Sequence, residues 1–102
     1  MIGKTRRGPI PTLDEAETIA AGALAFLAED GARLVQFMQA TGVDPATLRA
    51  RADSRDILES VLDYLLADES ALLTFASGHD IPPERIAPAL AVLQRAPRGE
   101  PR

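Results

Sequence analysis

The chain has 102 residues, no cysteine and a formal net charge of −4. A length of that order holds one domain with its own core, and without a thiol neither a disulfide nor a thiolate metal site can form. Aromatic residues make up only 4% and apolar residues 46%, mostly alanine and leucine, which is the composition of closely packed helices rather than of sheets.

The opening MIGKTRRGPIP carries glycine, proline and charge without periodicity, so residues 1–11 are expected to form a flexible basic tail. Thr12 followed by Glu15 is a capping-box pattern, and Leu13, Ala16, Ala20, Ala23, Leu24 and Leu27 continue at helical spacing. Asp30 caps a second helix that carries Leu34, Val35, Phe37 and Met38, and Gly42 is placed to stop it in a left-handed conformation. Asp44 before Pro45 then opens a short third helix, ATLRARA, because proline has no amide to leave unsatisfied in a first turn.

A fourth helix, RDILESVLDYLL, opens at Asp53 or Ser54. At about 100° per residue its apolar side chains, from Ile57 to Leu66, fill an arc of roughly 200°, which makes it a central helix. The first helix is rich in alanine and glycine over residues 20–28, and such a surface accepts bulky neighbours, so the two are predicted to pack together. Asp68 opens a fifth helix, ESALLTFAS, closed at Gly78. Pro82 and Pro83 open a sixth that runs to Leu93, with Pro88 expected to bend or shorten it. Residues 96–102 read as a disordered tail.

Shifting residues 19–52 forward by thirty-eight places them without a gap on residues 57–90. Seven positions are identical: Ile19/Ile57, Leu24/Leu62, Leu27/Leu65, Asp30/Asp68, Leu34/Leu72, Phe37/Phe75 and Pro45/Pro83. The retained residues are apolar anchors and helix punctuation, so one supersecondary unit is used twice. The expected fold is all-α: a compact bundle of about six helices over residues 12–95, built from two tandem three-helix repeats with a pseudo-two-fold relation. No reactive pair of side chains is shared by the copies.

Charge is segregated along the chain. Between residues 12 and 94 five arginines face fourteen acids, a net of −9, while the other six cations lie in the two ends. An acidic body repels nucleic acid as a whole. The basic start and the apolar run at residues 19–28 are separated by Asp14, Glu15 and Glu17, which breaks the layout of an export signal, and ten apolar residues are too few for a bilayer. A cytoplasmic protein with no membrane contact is expected.

Several stretches imitate chemistry. Gly3, Lys4 and Thr5 resemble the end of a phosphate loop but lack its upstream glycine and strand. His79 is the sole histidine, so no histidine metal site can assemble, and neither metal nor cofactor is expected. Glu59 and Asp63 fall on the polar face of the fourth helix, and Asp68 with Glu69 suits a helix start, where acids complement the dipole. With no nucleophile beside a base, the expectation is a protein that is not an enzyme.

Residues 34–52 scan in part as a helix-turn-helix reader of DNA, with Gly42 in the turn and Arg49, Arg51 and Arg55 available to phosphate. Met38 stands where the tight crossing wants a small residue, and Arg51 stands where a core residue is needed. The second copy has Asp80 in place of Gly42. This nucleic-acid regulator is therefore the alternative rather than the leading reading.

The segments ALAFLAED, LVQFMQATG, VLDYLLADE and TFA, with the closing Pro-Pro-Glu, resemble a family of small bacterial helical proteins classed as a domain of unknown function. The likeness spans about residues 16–93. It implies a compact helical domain in a bacterial cytoplasm and supplies no catalytic residues. The leading expectation is a non-enzymatic interaction or self-association module, whose partner is another protein or a second copy in a homodimer. Burying one large apolar side chain contributes about 1.5 to 3 kcal/mol against roughly 0.2 to 1 kcal/mol for an exposed ion pair. The expected contact residues are therefore Tyr64, Leu66, Leu73 and Phe75.

Overall fold

The computed structural model describes residues 10–97, which form six α-helices and one 3-10 turn. They are α1 (Leu13–Ala28), α2 (Gly31–Thr41), α3 (Pro45–Arg51), α4 (Arg55–Ala67), α5 (Glu69–Gly78), the 3-10 turn Pro83–Arg85, and α6 (Ile86–Arg95). Among the described residues there is no strand. The expected tails over residues 1–9 and 98–102 lie outside the described residues.

Local chemistry sets the helix boundaries. Thr12 and Glu15 form the reciprocal capping box, the hydroxyl accepting from the Glu15 amide at 3.1 Å and the carboxylate from the Thr12 amide at 2.9 Å. Asp30, Asp44, Ser54 and Asp68 each accept first-turn amides of the helix that follows. Gly42 ends α2 at φ 79°, in the left-handed region where a Cβ would be penalised.

α1, α4 and α6 pack pairwise on one another and form the centre of the molecule. The small buried side chains Ala16, Ala20 and Ala23 of α1 let it approach an α4 that buries Ile57, Leu58, Val61, Leu62 and Leu65. α2 lies against α1 and α4, and α5 against α4. Phe37 of α2 and Phe75 of α5 are both fully buried. Phe37 meets Tyr64 of α4 edge-on at 5.6 Å between centroids, and Phe75 meets Phe26 of α1 at 5.5 Å. α3 stands at the edge, anchored by Leu48.

The last helix departs from expectation. The residues after Pro82 form a 3-10 turn, and α6 begins only at Ile86. Pro88 is thus in the first turn of an α-helix shorter than one opened at Pro82 or Pro83, where an amide has no acceptor within the helix, so it removes no hydrogen bond from α6. Residues assigned to the two tails are also tied in. Pro11 is buried, and the carbonyls of Ala96 and Pro97 accept from Arg55.

Candidate functional site

α5 ends in a turn that shapes its surroundings. The Ile81 amide reaches back to the Ala76 carbonyl at 2.9 Å and the Asp80 amide to Ser77 at 3.5 Å, the paired bonds of a Schellman motif. That motif needs one left-handed residue. Here it is Asp80, at φ 55°. The turn sends Ile81 back toward the core and leaves His79 and Asp80 exposed.

Between this turn and the first half of α1 lies a cleft of about 690 Å³, open to solvent. α1 contributes Asp14, Glu15, Thr18, Ile19 and Gly22, while Phe75, His79 to Pro82 and Arg85 close the other side. The Phe75 ring forms part of the floor beneath Gly22, where a Cβ would stand 3.9 Å from the ring edge. His79 stacks on the same ring at 4.6 Å between centroids, and its Nδ1 lies 3.1 Å from the Phe75 carbonyl. A neutral imidazole therefore donates from Nδ1 and turns Nε2 away from that bond. At the rim the Arg85 guanidinium donates to the Glu15 carboxylate at 3.4 Å, so the ion pair joins α1 to the 3-10 turn.

The site thus combines an apolar floor with carboxylates, one imidazole and one paired guanidinium. It can receive an apolar side chain and compensate a positive charge beside it. Among the described residues, no group of three or more histidine, cysteine, aspartate or glutamate side chains is placed to hold a metal ion. No helix among them is long and apolar enough to cross a membrane.

The residues expected at a protein interface are dispersed. Phe75 is fully buried and meets the cleft only from beneath, which corrects its reading as a surface contact. Tyr64 is half-buried against the core, with its hydroxyl 3.5 Å from Gln36. Leu66 and Leu73 are exposed at 36% and 45%, and Val35 of α2 matches them at 46%. Val35 and Tyr64 sit on the α2 side of the molecule, whereas Leu66 stands about 200° around α4 from Tyr64.

The basic set divides in the same way. Arg49 is exposed at the edge, and Arg51 pairs with Asp56 at 3.3 Å. Arg55 does not face solvent as the phosphate-binding reading requires. Its guanidinium donates to the carbonyls of Leu93, Ala96 and Pro97 at 3.1, 3.4 and 3.4 Å and lies 3.7 Å from Glu17. It closes the C-terminal end of α6, where carbonyls lack intrahelical donors.

Sequence reasoning missed the cleft because α1 and the turn after α5 meet only in the fold. One signal was present: in the thirty-eight-residue overlay Asp80 falls on the turn glycine Gly42.

No curated protein and no solved structure matches this chain at a significant level. A family model described as a protein of unknown function, DUF3572, matches residues 13–96, which span α1 through α6. The chain belongs to that family.

Proposed function

We propose that this protein is a non-enzymatic interaction module that docks a partner protein in the cleft between α1 and the turn after α5. The observation that carries the reading is the cleft itself: open, floored by apolar side chains and bordered by exposed polar ones. That combination suits an inserted side chain with a polar flank, as at interface centres generally. The scattered Leu66, Leu73 and Val35 are single exposed residues of a kind that most surfaces carry. A bacterial cytoplasmic setting, expected from the cysteine-free sequence and the family likeness, belongs to the same proposal.

The scaffold is, in this reading, a tandem duplication with an approximate two-fold. Two reciprocal contacts support it. Phe26 and Tyr64 occupy matching positions of the two copies, as do Phe75 and Phe37, and each aromatic of one copy meets the other kind in its partner copy at 5.5 and 5.6 Å. Glu17 and Arg55, also thirty-eight apart, pair with each other, as residues beside a two-fold axis do. The third elements break the symmetry, since α6 is central and α3 peripheral.

The test uses the full chain as bait, with Thr18→Trp as a variant that fills the cleft from an exposed wall position. The expected result is a protein partner retained from low to moderate salt and lost with Thr18→Trp. Steep salt loss together with loss in Arg49→Ala and Arg51→Ala contradicts this and favours nucleic acid.

A further inference from the structure

We infer that the cleft recognises a partner segment in which an aliphatic or aromatic side chain stands beside an arginine or lysine. This deepens the docking reading above and rests on it. Ile19 and Ile81, above the buried Phe75 ring, supply the apolar anchor site, and about 690 Å³ exceeds what one side chain needs. The rim decides what flanks the anchor. Among the described lining residues, Asp14, Glu15 and Asp80 face a single guanidinium, Arg85, which is already paired with Glu15. With His79 neutral the formal sum is −2, on a body that is itself acidic. An acidic flank on the ligand is repelled and a basic one attracted.

Asp80 supports the same conclusion from the backbone. Among the described residues it is the one non-glycine with positive φ, and Gly42 does the matching work in the first copy. Aspartate tolerates the left-handed region better than most side chains, but glycine adopts it without conflict. The turn alone therefore does not call for a carboxylate there. Within the overlay Asp80 stands against Gly42 and Arg85 against Thr47. The floor is kept, with Ile19 against Ile57 and Phe75 against Phe37.

The experiment selects a random heptapeptide phage library on the full-length protein, resynthesises the enriched peptides and maps them by amide shift changes. We expect enrichment of Leu, Ile or Phe next to Arg or Lys, with shifts centred on Ile19, Gly22 and Ile81. In Asp14→Asn/Asp80→Asn, which keeps a side chain suited to the left-handed turn, Kd rises roughly three- to tenfold. Peptides that bind the cleft without a basic preference, or equally well in the double variant, overturn this inference and leave the docking reading standing. Peptides that shift residues elsewhere, or no enrichment at all, overturn both.

Discussion

Five helix starts are held by side-chain oxygens that accept first-turn amides, from Thr12, Asp30, Asp44, Ser54 and Asp68. Asp30 and Asp68 both cap helix starts, so alanine at either should lower stability by about 0.5 to 2 kcal/mol, and serine should restore most of it. Urea unfolding of the four variants measures this. Asp44 adds a pH dependence. Its carboxylate accepts the Thr47 amide at 2.7 Å, and that bond, with a smaller contribution from the Thr47 hydroxyl, holds its pKa below the ordinary 3.8. The folded value is the lower one, so this contribution is fully present above 3.8 and is lost as pH falls through the folded pKa. A carboxyl NMR titration should give Asp44 a midpoint below 3.8, and a midpoint at or above it contradicts the cap. Asp80→Gly should act in opposite directions on two readouts, stabilising the fold by up to about 1 kcal/mol while weakening cleft binding. These caps were legible in the sequence because each spans three or four residues. The roles of Phe75 and Arg55 were not, because burial of the ring and capture of the guanidinium depend on helices distant in the chain.

At the level of elements, aromatic contacts hold α2 to α4 and α5 to α1. Double-mutant cycles for Phe26 with Phe75, and for Tyr64 with Phe37, should each give a favourable coupling of about 0.5 to 1.5 kcal/mol. Similar couplings fit the duplicated scaffold, whereas coupling in only one pair contradicts a reciprocal arrangement. Arg55 joins three elements through the Leu93, Ala96 and Pro97 carbonyls and Glu17. Arg55→Met keeps the stem but releases those groups, and should lower stability by about 1 to 3 kcal/mol with faster amide exchange in the last turn of α6. Lysine should recover little, since one ammonium cannot reproduce the fork. Helix order and the packing of a small-residue α1 on a bulky α4 followed from periodicity and side-chain size. The short 3-10 turn before α6 did not, because the sequence pattern allows either one long kinked helix or a turn with Pro88 in the following first turn.

For the molecule as a whole, one apolar core shared by the helices sets the fold, and the surface over it is acidic. The acidic body and the side chains spent on internal bonds leave Arg49 and Arg51 without Arg55 as a third exposed cation. The cleft joins an apolar lining to a charged rim. Site-specific photocrosslinking in the native cell tests it most directly, with the reactive residue placed at Thr18 on the cleft wall or at Arg49 on α3. A protein adduct from position 18 that disappears when Asp80→Arg reverses the rim charge is the predicted result. Adducts from position 49 to nucleic acid, with none from position 18, would contradict the docking role of the cleft.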